Sequence, residues 1–376
     1  MTLKIRKIDS KADKKKFIKL SWKVFEGDSR WIAPLIMERM EFLDPKKNPF
    51  YEHGEVALFL AERDGEAVGR ISAQVNRAHN EYHNDKTGFF GFYECLDDEE
   101  ASTALLKTAE DWLREQDCDK VLGPVSFDMG NGEAGVQVSG FELPLIYLFP
   151  YSKTYYGGLI EKAGYEKAKD LFGWIYDIGK IPDAPMQIAE AVEKHPGLVV
   201  RPVDLKHIKR DINIVKTIFN ECWKKNWGFV PWTDSEVNMI AQNMKMILKP
   251  EITAIAEVDG EPAGMMLSLP NALELFDGLN GRLFPFGLLK LLWRSKFQKY
   301  KCARLFLLGV MPKFRGAELG GLSILLYIKA HQGSLGLGLT HGELGWTLED
   351  NEKINMGISF MGGRPEKVYR VYGKDL

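Results

Sequence analysis

The sequence predicts an α/β (α+β) fold written twice: two consecutive domains, each with a mixed, mostly antiparallel central sheet flanked by helices. Three observations predict it. At 376 residues the chain is too long for one ordinary core. Residues 57–73, "ALFLAERDGEAVGRISA", recur in diverged form at 252–268, "ITAIAEVDGEPAGMMLS", both carrying Ala-Glu-x-Asp-Gly-Glu-x-x-Gly. Later in each half a second landmark returns in the same order. Gly164-Tyr165-Glu166-Lys167 is echoed by Gly363-Arg364-Pro365-Glu366-Lys367, each followed by an aromatic strand.

Taken in order, residues 13–25 and 206–225 place apolar side chains at helical spacing, followed by a Trp-rich loop and a second helical segment. The repeated stretch is next. Its alternating apolar residues around Asp-Gly predict a β-hairpin. Each half then continues as strand, helix, strand, helix and closing strand. In the second half these fall at 304–311, 319–331, 340–348, 352–361 and 368–372. Helices packed on such a sheet define the class. Pro182, Pro185 and Pro196 around a short helical run mark a boundary near 181–197, dividing the chain into domains at 1–185 and 195–376.

Composition bounds the function. Hydrophobic content of 45% and charged content of 27% are ordinary for a soluble globular chain. A formal net charge of −2 gives no global reason to expect nucleic acid. The start, "MTLKIRKIDSKADKKKF", lacks the apolar segment of a signal peptide, and the longest apolar patch, Leu283 to Trp293, is broken by Lys290. A cytoplasmic protein is expected. Cys95, Cys118, Cys222 and Cys302 lie too far apart for metal or redox motifs, so no metal is expected.

The stretch "PKFRGAELGG" (312–321) joins an apolar strand to a helical run starting near Leu319. Backbone N–H groups and the helix dipole at such a start suit a pyrophosphate, glycines allow close approach, and Arg315 adds a charged fork. The same window is equally readable as a turn of glycines with no ligand. From Gly278 to Ala317 there is no Asp or Glu, whereas nine basic residues occur: Arg282, Lys290, Arg294, Lys296, Lys299, Lys301, Arg304, Lys313 and Arg315. This excess implies an anionic partner or a solvated basic face. The interleaved Leu283-Phe284-Pro285-Phe286 and Leu288 to Trp293 also suit a peripheral lipid surface or the cover of an acyl chain.

Together these residues and the element order resemble the GNAT acyltransferase superfamily, and more closely a bacterial group of tandem GNAT-like proteins. The stretches "NPFYEHGEVALFLAERDGEAVGRISA", "ECWKKNWGFVPWTDSE", "GRLFPFGLLK", "LGVMPKFRG" and "LGWTLEDN" carry the resemblance, which spans most of the chain. It implies acetyl-CoA or another acyl-CoA as co-substrate and an amine-bearing acceptor, with no nucleic acid. The superfamily's Q/R-x-x-G-x-G/A loop, which binds the coenzyme pyrophosphate, maps Arg315 to its first position and Gly320 to its last, with Gly316 and Gly321 beside them. Glu318 stands where the first motif glycine belongs. A carboxylate about 5 Å from a phosphate charge, at an effective dielectric of about 20, costs roughly 3 kcal/mol. Glu318→Gly is therefore expected to tighten binding, unless the side chain turns outward as a favourable helix-start charge.

The resemblance also assigns coenzyme contacts to Leu308 and Val310 on the preceding strand, the N–H near Val310 serving the oxyanion. Asn351 is similar to the Asn that contacts the pantetheine arm, and is equally readable as a helix cap. Acyl transfer to an amine needs a base. Residues 341–351, "HGELGWTLEDN", read as a strand with Glu343, Gly345, Thr347 and Glu349 on one face, so Glu343 and Glu349 are the candidates. The tyrosine that many GNAT enzymes carry in the last helix, as acid, is absent from "GISFMGGR". Tyr372 on the closing strand is the nearest substitute, and with Tyr369 it also reads as a plain β-former. Asn226, Trp227 and Phe229 fall in the loop that borders the acceptor pocket in GNAT folds, or in a loop packed under a core. In the first half, Asp97-Asp98-Glu99-Glu100 replaces glycine and arginine at the corresponding turn. Those acids would repel a pyrophosphate and suit a helix N-terminus, so this half is read as having lost the coenzyme. The polar stretch from Gly123 through Asn131 and Glu133 to Phe141 shapes the acceptor site or only connects strands.

Overall fold

The computed structural model describes residues 2–130, 133–316 and 318–376; Asn131 and Ala317 lie outside the described residues. The chain forms two compact units. Unit 1 holds 1–171, 276–291 and 367–376, and unit 2 holds 172–275 and 292–366.

The first half runs β1 (Leu3–Ile8), α1 (Lys11–Val24), α2 (Ile36–Phe42), β2 (Gly54–Arg63), β3 (Glu66–Asn76), α3 (Arg77–His83), β4 (Thr87–Cys95), α4 (Glu99–Glu115), β5 (Lys120–Gly123), β6 (Val136–Ser139), α5 (Tyr156–Lys162) and β7 (Glu166–Asp177). The second runs α6 (Asp183–Glu193), β8 (Leu198–Arg201), α7 (Ile208–Cys222), α8 (Asp234–Met244), β9 (Thr253–Val258), β10 (Glu261–Pro270), α9 (Leu273–Phe276), α10 (Gly287–Phe297), β11 (Cys302–Val310), α11 (Leu322–Gly336), β12 (His341–Leu348), α12 (Glu352–Phe360) and β13 (Arg364–Asp375).

Local chemistry sets these boundaries. Ser10 caps α1 by accepting from Asp13 N, and Thr233 with Glu236 forms a reciprocal capping box at α8. Both repeated hairpins turn on residues with positive φ, Asp64 (52°) with Gly65 (87°) and Asp259 (51°) with Gly260 (80°), the geometry that Asp-Gly favours.

In unit 1 the strands lie in the order β1-β2-β3-β4-β5-β13. β1 to β4 are antiparallel, α4 crosses over to make β5 parallel to β4, and β13 runs antiparallel to β5 from Tyr372↔Gly123 to Asp375↔Lys120. Leu105, Leu106, Ala109 and Leu113 of α4 pack on one face against Ile71, Ala73, Val75 and Phe90. Phe17 and Ile18 of α1 cover the other with Leu58, Leu60 and Phe92.

Unit 2 repeats the plan. The end of β7 lies beside β12, and the order continues β11-β10-β9-β8. The helix α11 is buried along most of its length, as expected for a crossover sandwiched between the sheet and α6. Phe219, Phe229, Trp232 and Met265 form the core on the opposite face.

The compact units differ from a division at 1–185 and 195–376. β13, the closing strand of the second half, completes the sheet of unit 1 through β5, whereas Phe172 to Asp177 of β7 belong to unit 2. The short helical run expected at the boundary is α6, but its Ala189 and Val192 sit in the core of unit 2.

Candidate active site

The candidate site grows from the end of β11. Pro312 opens a single tight turn, Pro312–Phe314, at the one position where a missing N–H costs nothing. Phe314 is buried and anchors the turn. Arg315 then folds back, its Nε donating to the Val310 carbonyl at 2.7 Å. Leu319 N donates to Gly316 O at 3.1 Å, and α11 begins at Leu322, later than the sequence expects, because Leu319 to Gly321 are spent on this turn.

The turn separates its glycines by role. A Cβ on Gly316 would meet nothing within 4 Å, so this edge is open. Gly320 is exposed on the same turn. Gly321, expected among the coenzyme-binding residues, is explained by packing instead. A Cβ there would sit 2.4 Å from Ile188 Cγ2 and 2.9 Å from Val192 Cγ2, so glycine is what lets α6 close on the start of α11. Glu318 is 88% exposed, its Oε2 3.8 Å from His195 Nε2 beyond the end of α6. The carboxylate turns outward.

β11 and β12 are paired in parallel from Cys302↔His341 to Leu305↔Leu344 and no further. β12 kinks there: Gly345 has φ 108°, and its carbonyl accepts from Arg304 Nε at 3.0 Å. Leu308 and Val310 lie beyond the parting. Their side chains are buried in the core with Leu322 and Leu326, so their contact with any ligand is confined to the backbone.

The kink also corrects the expected face of β12. Burial runs in pairs, Glu343 with Leu344 and Thr347 with Leu348, separated by the half-buried Gly345 and Trp346. The strand ends at Leu348, which puts Glu349 in the following turn. Glu343 and Glu349 thus occupy opposite ends of the strand. Glu343, 1% exposed, borders a cavity of about 40 Å³ with Tyr176, Ser268, Tyr327 and His331. At ~10–15 Å³ per water, that holds about three or four.

Sequence reasoning missed His331 and Tyr176; the one signal was a histidine at the end of the mostly apolar run Leu322–Ala330 of α11. His331 Nε2 lies 2.8 Å from Gly179 O, which can only accept, so Nε2 carries the proton and Nδ1 accepts from the Tyr176 hydroxyl at 2.6 Å. Burial pushes the His331 pKa down and that of Tyr176 up to about 12, keeping both neutral at pH 7.

Other expected residues are dispersed. The Tyr372 hydroxyl donates to Glu161 Oε1 at 2.9 Å inside unit 1, and burial raises its pKa above the usual tyrosine range. Held there in the core, it has the position of a structural residue rather than an acid. Tyr369 stacks on Phe149. Asn351 occupies the cap position of α12, yet its side chain makes no cap hydrogen bond. The polar groups nearby are linked through Thr347, whose Oγ1 lies 2.8 Å from Trp174 Nε1 and 2.7 Å from Asn355 Oδ1.

The 226–229 loop lies between α7 and α8. Phe229 is buried, with its ring 5.7 Å from Phe219, which itself stacks on Trp232 at 3.7 Å. Phe229 is therefore a core residue and not a pocket wall. Asn226 and Trp227 remain half-buried around Gly228, whose φ is 70°.

At the first-half turn Asp98, Glu99 and Glu100 are committed to structure. Asp98 caps α4 by accepting from Ala101 N at 3.1 Å, Arg63 pairs with Asp98 and Glu100 at 2.8 Å, and Lys162 with Glu99 at 2.6 Å. Among the described residues, no group of three or more His, Cys, Asp or Glu could hold a metal, and no helix is long and apolar enough to cross a membrane.

No family model matches the chain. A bacterial ceramide synthase from Caulobacter vibrioides (strain NA1000 / CB15N) is 36% identical over 378 residues, covering all of this chain and 98% of that protein. Protein YghO from Escherichia coli (strain K12) is 34% identical over 375 residues, covering 99% and 95%. Among solved structures, a tandem GNAT protein from the clavulanic acid biosynthesis pathway aligns over all of this chain and 98% of its own, with TM-score 0.59 at 12% identity. A GCN5-related N-acetyltransferase from Sphaerobacter thermophilus aligns over 99% and 95%, with TM-score 0.52 at 15% identity. At such identities these two show the fold alone.

Proposed function

The chain belongs to the tandem GNAT-like family that contains the Caulobacter ceramide synthase and YghO, and from that premise we propose that it is an acyl-CoA-dependent N-acyltransferase whose chemistry resides in the second half. One observation carries the assignment to that half: the turn after β11 keeps Arg315 and the open edge at Gly316, beside strands that part after Leu305 and Leu344. The pyrophosphate would lie against Arg315, Gly316 and Gly320. The acyl arm would run into the gap between β11 and β12, past the backbone of Val310 and toward Asn351. The Val310 N–H side of the gap is the proposed oxyanion contact.

The acceptor amine requires a proton acceptor before nitrogen attacks the thioester carbonyl and the thiolate leaves. Glu343 would act through waters in its cavity, and Glu349, half-buried in the turn that follows β12, directly. The Caulobacter relative's name favours a long-chain amino alcohol as acceptor and an N-acyl amide as product. Asn226 and Trp227 are the proposed acceptor contacts. With Tyr372 in the core of unit 1, the leaving thiolate is proposed to take its proton from solvent.

The test is calorimetric titration of the full chain with acyl-CoAs of graded length, with thiol release measured against a long-chain amino alcohol and a short polyamine. Saturable binding of one acyl-CoA per chain is expected. Arg315→Ala should weaken it by about ten- to hundredfold, the order of one lost charge-assisted contact of about 1.5–3 kcal/mol. A wild type that binds no acyl-CoA overturns the proposal.

A second reading, a non-catalytic GNAT-like binding protein, is favoured by one specific observation: α12 carries Ser359 and no tyrosine. Acyl-CoA binding without thiol release for any amine would select it.

A further inference from the structure

We propose that the exposed face of α10, with the segment leading into it, docks this protein on the surface of an anionic lipid bilayer. The observation is independent of the reaction. On this helix Leu291 faces inward and is buried. On the opposite side Leu289, Trp293 and Phe297, at i, i+4 and i+8, form one stripe, 64%, 62% and 60% exposed. Phe286 and Phe284 extend it ahead of the helix at 74% and 71%. Single exposed apolar residues need no explanation, but five large ones in a row on one face do.

Charge selects the occupant. Lys290 and Lys296 lie on either side of the stripe, both exposed. Between residues 282 and 301 there are six basic residues and no acid, in a chain whose net charge is −2. A second copy docking through the same face would place these lysines opposite their own counterparts, which like-charge repulsion disfavours. An anionic headgroup layer complements the lysines while aromatic rings and leucines enter the acyl boundary, the arrangement of a helix lying in a membrane interface. Arg294 Nη1 donates to Leu275 O at 2.9 Å and Gln298 Nε2 to Glu274 O at 3.0 Å, so the inner face is tied down and the helix cannot roll its stripe inward.

Flotation of the full chain with vesicles of phosphatidylcholine alone, or mixed with phosphatidylglycerol, tests this. Flotation is expected with the anionic vesicles and should fall as salt rises. Phe286→Ser with Trp293→Ser and Phe297→Ser should lower the bound fraction at least about tenfold, and Lys290→Glu with Lys296→Glu should remove the salt-sensitive part. Thermal melting and acyl-CoA titration of both variants should match wild type, which separates this proposal from the catalytic one. A wild type that does not float, or a triple-serine variant that floats equally, overturns it. So does a wild-type dimer in sedimentation velocity that the serine substitutions disperse, since a second copy then covers the face.

Discussion

At position 318 a carboxylate stands in a loop that resembles a phosphate cradle, and its cost depends on where the side chain points. Were it directed at a phosphate in a medium of low dielectric, its removal would tighten binding severalfold or more. Glu318 instead reaches toward His195 in open solvent. Water and salt screen it there, so Glu318→Gln is expected to change acyl-CoA affinity by less than about threefold, measured beside Arg315→Ala as a reference. Tightening of tenfold would place the carboxylate against the coenzyme. That acids occur at both turns was evident from the sequence. Their directions were not, because a rotamer depends on neighbours distant along the chain, here the residues that end α6 and the arginine at position 63.

Among elements, α11 depends most on close approach. A Cβ added at Gly333 would lie 1.7 Å from the Glu251 carbonyl oxygen, a backbone atom that cannot turn aside. Gly333→Ala is expected to destabilise the protein by about 2–3 kcal/mol, seen as a lower thermal midpoint. Gly357 in α12 meets nothing within 4 Å, so Gly357→Ala should raise the midpoint, by about 0.5–1 kcal/mol of helix propensity. Opposite signs from one chemical change would confirm that packing, not propensity, governs α11. Element types were legible because hydrophobic period and Asp-Gly turns act locally. The kink at Gly345 was not, since nothing in "HGELGWTLEDN" shows where β11 and β12 stop pairing.

For the whole molecule, buried histidines couple folding to pH. Burial holds the His79 pKa at about 4 despite Asp85 nearby, and pushes that of His331 down as well. In the unfolded chain a histidine takes up its proton near pH 6.5. Between about 6.5 and 4 the unfolded state therefore binds more protons, and stability falls as pH falls through that window. Thermal melts from neutral to mildly acid pH should show the decline, and His79→Gln should flatten it. An unchanged slope in that variant would mean that carboxylate protonation, not His79, governs acid unfolding.

By itself the sequence determined the class, the duplication, the hairpin and the strand-helix-strand crossover of each half, and the contrast between an acid-filled turn and an arginine-bearing one. It did not determine the leading strands β1 and β8 or the short elements α3, β6, α9 and α10. The features it determined follow from periodicity, turn chemistry and charge, all written within short windows. Only the tertiary structure decided that β13 completes the sheet of unit 1, that Gly321 serves helix packing, that Phe229 and Tyr372 belong to cores, and that His331 meets Tyr176 beside Glu343. Each of these is a contact between residues far apart in the chain, and its energy comes from shape and burial that no local pattern encodes.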